Sequence, residues 1–522
     1  MPALRTMFAL GHTPAFRPIL VALVSLLAFA AAIPSAPHAR AAEFFVAPDG
    51  TPAAAGSRVA PWSVAHAFAH PPAVKPGDVV WLRGGTYPGN VVCRLAGTKE
   101  QPIIVRQTRG ERATFDCRSL DGKPTMFAVV GHDVRLQDFE VTNTDPRRET
   151  KQSGSWPTDL YRGSVDCRGD RISLVNLVIH ELATGVAMWS EGEAGEVYGC
   201  LIYNNGWRAP DRGHGHGIYT QNIRGTKVIA DNFIFNQFGY GIHAYGSSKA
   251  KLEGYDITGN AIFNNGILVG DGSRSSNMLV GGGAKAARIS ITSNFVYHTS
   301  LEQTSMQIGY GPQSDDLVLS HNVIAGFMRM MSWQKATVEY NRFYGKSSMI
   351  ELNLADFQEL AGFQWNKNGY FSGEQRFAPF AAITPAERIT GKWDDWRNRT
   401  GFDAQSTNVK GPPTGSYTRA RANKYEPGRV QIVIFNWDKD TTRKVYLHGA
   451  KLDESRHQLE PGSKYRIVSA TNFYGDPITR GTFDGKPIAI EMKPTKAPPP
   501  IGFTEPTPPT EPEFGAYILL PE

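Results

Sequence analysis

The chain has 522 residues, of which 41% are hydrophobic and 20% charged, and this composition is too apolar for a disordered protein. Its 53 glycines and 35 prolines follow no three-residue period, which excludes collagen, and they fall between apolar runs as turn-rich β structure requires. The formal net charge of +6 becomes +3 without the three arginines of the first 41 residues, so no nucleic-acid surface is expected.

Residues 1–41 have the pattern of a secretory signal peptide. Two arginines precede an apolar stretch from Ile19 to Ile33, and Ala39-Arg40-Ala41 resembles a small-x-small cleavage site. The apolar stretch is shorter than the roughly 20 residues that cross a bilayer. We therefore predict a secreted or periplasmic protein with no membrane contact after cleavage.

The chain contains four cysteines, and export permits disulfides. Cys93 and Cys117 lie 24 residues apart, and Cys167 with Cys200 would form a second pair. Buried thiols are the alternative. No Cys-x-x-Cys spacing occurs, so these residues are not expected to bind a metal.

A weak repeat runs through the middle of the chain, in which a β-rich run ends in Asn and a second apolar run, a turn and a Gly-led run follow. Equivalent runs recur in the same chain direction, which predicts parallel strands stacked coil upon coil. A stacked Asn amide offers a donor and an acceptor, so we predict a ladder along one turn; a turn-favouring Asn without a ladder is the alternative at any single position. The marker positions, spaced by 19 to 34 residues, are Asn176, Cys200, Asn232, Asn260, Asn294, Asn322 and Asn341.

The repeat and the opening segments FFVAPDG and PWSVAHAFAHPPAVKPGDVVWLRGGTYPG together resemble the pectate-lyase-like superfamily over roughly residues 44–380. The resemblance implies a right-handed parallel β-helix, exported and acting on a polysaccharide. The run from Val64 to Phe68 is amphipathic and is predicted to plug the open end of the coil.

Beyond the helix, assigned to residues 42–385, a polar segment at 386–420 is predicted to connect to a second domain at 421–522. Alternating runs there predict a small antiparallel β-sandwich, in which the Pro-rich stretch 497–512 is a linker to a last strand, FGAYILL. The predicted fold class is therefore all-β, a right-handed parallel β-helix followed by a C-terminal antiparallel β-sandwich.

Extra sequence at 143–164, 206–216 and 267–277 falls at the same point of the repeat, so these loops are predicted to stack at one corner of the helix. The resemblance implies that a saccharide groove lies beside them. Strand alternation in HGIYTQN and YGIHAYG points Tyr219 and His243 outward, and their 24-residue offset predicts that they lie side by side.

Elimination from a uronate needs a base at C5, an acid at the leaving oxygen and a positive group beside the carboxylate. We predict His243 or His216 as base, Tyr219 as acid or base and Arg212 as the neutralising group. A surface His and Tyr without a reaction are the alternative for each. The residues predicted to bind the sugar chain are Trp189, Trp207, Arg208, His214, Tyr245 and Gln307.

Several other functions fit the same fold. A glycoside hydrolase needs two carboxylic groups, and Asp211 with Asp271 or Glu302 would supply them. A C5-epimerase of this superfamily carries Asp-Pro-His on the groove strand, which the stretch at 212–216 lacks. A non-catalytic glycan-binding protein is the third alternative, and the loops carry seven basic and five acidic residues, so a neutral glycan stays open.

Metal binding is a further alternative in two places. His214 and His216 lie two positions apart, and His243 would complete an imidazole site. Calcium is possible at the short GDGS stretch 270–273, although such a stretch is more often a turn, and the clustered Asp residues of calcium-dependent pectate lyases are absent. The expected partner is a polysaccharide, and a monomer is expected.

Overall fold

The computed structural model describes residues 41–522 apart from 124, 248–249, 270–275, 312–313, 355–359, 373–378, 385–386, 448–458 and 505. The predicted signal peptide, except for its last residue, lies outside the described residues. Within the described part of the chain, no helix is long and apolar enough to cross a membrane. The predicted fold class, a right-handed parallel β-helix followed by antiparallel sheets, is confirmed.

Three twelve-stranded sheets form the helix, named sheets A, B and C in the order in which each coil visits them. Pairing is parallel throughout, except for the antiparallel last pair of sheet C.

The strands of sheet A are Glu43–Val46, Val79–Leu82, Ile103–Gln107, Val134–Gln137, Ser173–Val175, Glu196–Tyr198, Lys227–Ala230, Leu252–Thr258, Ala286–Thr292, Asp315–Ser320, Ala336–Glu339 and Phe363–Asn366. Those of sheet B are Gly85–Pro88, Ala113–Asp116, Glu140–Thr142, Val178–His180, Leu201–Tyr203, Phe233–Phe235, Ala261–Phe263, Phe295–Tyr297, Val323–Ala325, Arg342–Gly345, Gly369–Ser372 and Thr407–Lys410. Those of sheet C are Val91–Cys93, Phe127–Val129, Ser164–Cys167, Thr184–Met188, Ile218–Thr220, Ile242–Gly246, Met278–Gly282, Thr304–Ile308, Phe327–Met331, Ile350–Asn353, Phe380–Ile383 and Arg388–Gly391.

The predicted asparagine ladder lies at the turn between sheets A and B. In each step the side-chain Nδ2 of one Asn donates to Oδ1 of the next, over 2.9 to 3.1 Å. Asn176 is not part of it, because Leu177 occupies the equivalent position and Asn176 takes the left-handed turn conformation one residue earlier. Cys200 holds a ladder position but joins only through its backbone N–H. The ladder residues are Asn232, Asn260, Asn294, Asn322, Asn341 and Asn368.

A second ladder, not predicted from the sequence, lies at the turn between sheets B and C. Asn205 Nδ2 donates to Gln237 Oε1 over 3.0 Å, the backbone N–H of Gln237 donates to Asn265 Oδ1 over 3.2 Å, and Asn265 Nδ2 donates to Asn277 Oδ1 over 2.9 Å. All four side chains are buried. This corner therefore keeps a fixed backbone where the predicted loops emerge.

Removing one rung of the first ladder is expected to destabilise the whole helix. Asn294 makes four side-chain hydrogen bonds, so Asn294→Ala leaves buried donors and acceptors unpaired, each costing about 1–3 kcal/mol. We expect the urea midpoint to fall markedly. Asn90→Ala, at an exposed position, is the control and should leave it unchanged. Equal midpoints for both variants would show that the ladder does not stabilise the helix.

Both ends of the helix are closed by aromatic side chains. At the start, the helix Val64–Phe68 inserts Phe68, whose ring lies 6.1 Å from Phe115, as the amphipathic pattern predicted. At the end, the helix Trp393–Thr400 buries Trp396, whose Nε1 donates to Asp403 over 2.8 Å. This second cap lies in the segment that was predicted to be a connection.

The C-terminal strands form two antiparallel sheets. One face of the larger sheet packs on sheet B, and the other packs on the smaller sheet. A short 3-10 helix, Ala470–Asn472, follows one of the strands. The larger sheet consists, in spatial order, of Ser416–Ala422, Val430–Asn436, Phe514–Pro521, Lys464–Ser469 and Thr479–Thr482, and the smaller of Thr442–Val445 and Ile488–Glu491.

Of the two interpretations of the cysteines, the disulfides are wrong and the alternative of buried thiols is confirmed, because all four cysteines are free and buried. A 24-residue interval equals one coil only where both residues hold the same place in the coil. Cys93 ends a strand of sheet C, whereas Cys117 follows a strand of sheet B. Burial raises the pKa of the Cys93 thiol to about 12, so it stays protonated.

Candidate functional site

The three predicted loops all emerge between sheets B and C, which confirms that they share one corner, although residues 270–275 of the third lie outside the described residues. The loops are bonded to one another. The Arg208 amide donates to the Arg148 carbonyl over 2.8 Å, and the Arg208 guanidinium reaches the Leu268 carbonyl over 2.7 Å. The 3-10 helix Ile267–Val269 begins the third loop. Together they form a wall beside sheet C.

The predicted strand alternation on sheet C is confirmed. Ile218 and Ile242 are fully buried, while Tyr219 and His243 are half-buried on the outer face. Tyr219 and His243 are direct partners in the parallel register, and their ring centroids lie 5.4 Å apart in an edge-to-face arrangement. The predicted pair therefore forms.

Further aromatic rings extend this pair along the outer face of sheet C. Trp189 lies 5.7 Å from Tyr219, and Tyr245 lies 5.0 Å from His243, both between ring centroids. Tyr240, which the sequence analysis missed, lies 4.7 Å from His243. Tyr310, also missed, lies 5.9 Å from Tyr245 and is 50% exposed. Such faces suit the C–H faces of sugar rings.

Two imidazoles stand in contact at the centre of these rings. His243 Nδ1 lies 3.0 Å from His216 Nε2, and the backbone N–H of Tyr240 donates to His216 Nδ1 over 3.2 Å. Burial, and then the charge of Arg212, lowers the pKa of His243 to about 3. Burial, followed by His243 and Arg212, puts the pKa of His216 well below its usual value. Both rings are therefore neutral near pH 7.

The phenol of Tyr219 is a proton donor in this state. Gln221 Nε2 donates to its oxygen over 3.1 Å, so the phenol O–H keeps its hydrogen for another acceptor. Burial raises the pKa of Tyr219 above its usual value of 10.0, and the group is protonated at neutral pH.

Arg212 supplies the positive charge of the site. Its Nη2 donates to Ser155 Oγ over 3.0 Å, and its side chain is 38% exposed on the second loop. Asp211 Oδ2 lies 3.7 Å from its Nε, and the arginine charge contributes, after burial, to the lowered pKa values of His216 and His243. The structure thus brings five predicted residues into contact, namely Trp189, His216, Tyr219, His243 and Tyr245, and places Arg212 on the adjoining loop.

Trp207 and His214 hold the wall together instead of facing a sugar chain. They pair in a two-stranded antiparallel bridge, Trp207–Arg208 with Gly213–His214, and stack at 5.3 Å. His214 Nε2 lies 3.1 Å from Asp211 Oδ1, and its Nδ1 lies 3.4 Å from Ser155 Oγ. Both side chains are buried, so the predicted binding role does not fit them. The alternative of a three-imidazole metal site is not supported either, because both nitrogens of His214 already have partners in Asp211 and Ser155.

Arg208 and Gln307 lie away from the rings. Arg208 forms an ion pair with Glu149 over 2.8 Å and lies 5.1 Å from the Phe503 ring centroid, so it ties the loops to the C-terminal stretch that was predicted to be a linker. Gln307 is on the groove face but two strands from His243, with Leu279 between them.

Asp166 also points to the outer face of sheet C, although it was not predicted from the sequence. Its carboxylate accepts from Trp189 Nε1 and from Arg168 Nε, each over 2.7 Å, and so orients the indole. Alternation in the strand SVDC, which places Asp166 in line with Ala187 and Tyr219, is the signal that would have found it.

The carboxylates near the groove are already bonded. The described strands of sheet C carry two, Asp166 and Glu351, and Glu351 pairs with Arg329 over 2.8 Å. Glu302, a predicted hydrolase carboxylate, accepts a hydrogen bond from Ser347. Asp271 and the possible calcium stretch 270–273 lie outside the described residues. Among the described residues, no group of three or more His, Cys, Asp or Glu side chains is placed to hold a metal ion.

The sequence of this chain also matches a family model and a known protein. A family model described as "Pel9A-like, right handed beta helix region" matches residues 44–302. Pectate lyase PEL9 of Emericella nidulans is 36% identical over 103 residues, which are 19% of this chain and 24% of that protein. The match thus spans about a quarter of that relative.

Two solved structures are also similar. The crystal structure of pectate lyase Pel9A is 19% identical, with a TM-score of 0.38 over 66% of this chain and 76% of that one. That of the GH136 lacto-N-biosidase from Eubacterium ramulus is 16% identical, with a TM-score of 0.41 over 71% of this chain and 67% of that one.

Proposed function

Because the chain belongs to the pectate-lyase-like superfamily of right-handed parallel β-helix proteins, we propose that it is a polysaccharide lyase that cleaves a uronate-containing chain by β-elimination on sheet C. The single observation that carries the proposal is the contact of two neutral imidazoles with a protonated phenol, beside an arginine, on the outer face of that sheet.

The reaction makes three demands. The C5 proton of the uronate leaves, the C4–O4 bond breaks as the C4–C5 double bond forms, and the departing oxygen takes a proton. Removal of the C5 proton is easier when positive charge or hydrogen-bond donors neutralise the uronate carboxylate. Arg212 would supply the charge, and the imidazoles and the Tyr219 phenol are the groups able to exchange or donate protons.

The surroundings support a chain substrate. Trp189, Tyr245 and Tyr310 present rings on the same face as Tyr219 and His243, along the direction in which the coils stack. Asp166 fixes the indole of Trp189, so that ring is held before a sugar arrives. We propose that successive sugar units lie along this row. The predicted signal peptide supports the further proposal that the protein meets its polysaccharide outside the cytoplasm.

The test is an activity screen. The protein is incubated with a panel of uronate polysaccharides and with neutral glycans, and both ultraviolet absorbance and reducing ends are recorded. We expect the absorbance of the unsaturated product to rise with reducing ends on at least one uronate chain. Reducing ends without that absorbance would indicate hydrolysis, and binding without either signal would indicate a glycan-binding protein; both outcomes overturn the proposal.

A further inference from the structure

The hydrogen bonds around His216 fix which nitrogen of each imidazole carries the hydrogen. A backbone N–H can only donate, so His216 Nδ1, which accepts from Tyr240, has no hydrogen. A neutral ring carries one hydrogen, which then sits on His216 Nε2. That atom donates to His243 Nδ1, 3.0 Å away, which must accept. The one hydrogen of a neutral His243 is therefore on Nε2.

We propose that the Tyr240 amide and His216 are positioning groups that hold His243 as an N–H donor to the uronate carboxylate, and that Tyr219 is the residue that transfers the proton. This inference rests on the proposed function. It changes the roles predicted from the sequence, in which His243 or His216 was the base. Both nitrogens of His216 are engaged, so it cannot be the base. If His243 Nε2 carried a lone pair towards the groove, the hydrogen of that ring would sit on Nδ1 and His216 Nε2 would have to accept it. The hydrogen of His216 would then sit on Nδ1 and face the N–H of Tyr240.

The remaining nitrogen of His243 is free to act. Among the described residues, none forms a hydrogen bond to His243 Nε2. This atom is not one of the buried polar atoms that lack a partner, so it keeps access to solvent. Arg212 lies on the adjoining loop, where its Nη2 donates to Ser155 Oγ over 3.0 Å, and the other N–H groups of its guanidinium would supply the second donor. A carboxylate bound between an N–H and a guanidinium is neutralised by groups fixed in advance, which is the arrangement that lowers the barrier to removing the C5 proton.

Proton transfer by Tyr219 balances without another reactant. The phenolate oxygen takes the C5 proton, the electron pair of that bond forms the C4–C5 double bond, and the C4–O4 bond breaks. The phenol then returns its proton to the departing O4, which restores the phenolate. The Gln221 Nε2–H, 3.1 Å from the Tyr219 oxygen, remains as a donor to the phenolate.

The rate should therefore rise with pH. Burial raises the pKa of Tyr219 above 10.0, and the titratable groups that face it are His216, His243 and Tyr245. The phenolate fraction grows with pH below that value, so kcat/KM is expected to rise about tenfold per pH unit from about pH 6 to 9. A plateau above pH 7 with an acid limb belonging to an imidazole would contradict this assignment.

Two measurements decide the tautomer and the role. In long-range proton–nitrogen spectra of the nitrogen-15-labelled protein at pH 7, assigned with His216→Gln and His243→Gln, both rings are expected to carry hydrogen on Nε2. Hydrogen on His243 Nδ1, or a cationic ring, would overturn the inference. This measurement needs no substrate, so it decides the tautomer even where no polysaccharide is cleaved and the proposed function fails.

Variants of His243 distinguish a hydrogen-bond donor from a general base at this position. Gln offers an oxygen to His216 and an N–H to the groove but cannot act as a base, whereas Leu offers neither. We expect His243→Gln to keep about a tenth or more of kcat and His243→Leu to lose about 100-fold, the effect of removing one fixed donor. His321→Gln, at an exposed turn, is the control. Equal losses of about 1,000-fold or more in both His243 variants would show a base and overturn the assignment.

Discussion

Tyr219→Phe is expected to lower kcat on the cleaved polysaccharide by about 1,000-fold or more, because it removes the one oxygen assigned to both proton transfers. The rings of Trp189 and His243 still contact a phenyl ring at this position, so KM should change little. The measurement is initial-rate kinetics by ultraviolet absorbance of the unsaturated product.

The control for that variant separates chemistry from folding. Tyr340→Phe removes the hydroxyl of a tyrosine that is 47% exposed at the turn between sheets A and B. Both variants should melt close to the unchanged protein, since the Tyr219 oxygen has one hydrogen bond, from Gln221, worth about 1 kcal/mol. Retention of activity in Tyr219→Phe would move the proton transfer to another group.

Sequence periodicity was sufficient to predict the β-helix because every coil has to bury side chains at the same positions. Ile218 and Ile242 fill the core on successive strands, and the residue after each must point outward, so the contact of Tyr219 with His243 follows from alternation and a 24-residue offset. Fixed Asn positions likewise follow from the need to pair buried turn amides in every coil.

The wall of the site was not predictable in the same way, because loops have no period. Trp207 and His214 have the chemistry of sugar-binding residues, yet a two-stranded bridge turns them into the loop interior, where they stack on each other. The Tyr240 amide carries no signature in its side chain at all, although its N–H sets the tautomer of His216. Such contacts depend on loop backbone that alternation does not specify.

Disulfides failed as a prediction for a related reason. Spacing by one coil is evidence of contact only when both residues occupy the same sheet, as Tyr219 and His243 do. Cys93 and Cys117 share the interval but not the sheet. The useful quantity is therefore position within the coil, which becomes known only after the strands are placed.

The second large effect is expected on stability, when the buried ion pair between the first loop and Glu181 is broken. Arg148 is 2% exposed, pairs with Glu181, donates to the Gly206 carbonyl over 3.0 Å and lies 4.7 Å from the Phe238 ring centroid. Arg148→Ala leaves the buried Glu181 carboxylate without its arginine partner, with the Asn204 amide at 3.0 Å and the His180 ring at 3.9 Å still beside it. We expect the free energy of unfolding to fall by about 3–5 kcal/mol.

The neighbouring arginine provides the matched control. Arg147 pairs with Asp145 over 2.6 Å, but its side chain is 55% exposed, and exposed pairs contribute about 0–1 kcal/mol. Arg147→Ala should therefore have little effect in urea unfolding. Adding Glu181→Gln to Arg148→Ala should recover part of the loss, because the unpaired charge is removed. If Arg148→Ala alone unfolds no more easily than Arg147→Ala, the loops do not depend on this pair, and the wall must be held by the bonds of Arg208 to Glu149 and Leu268.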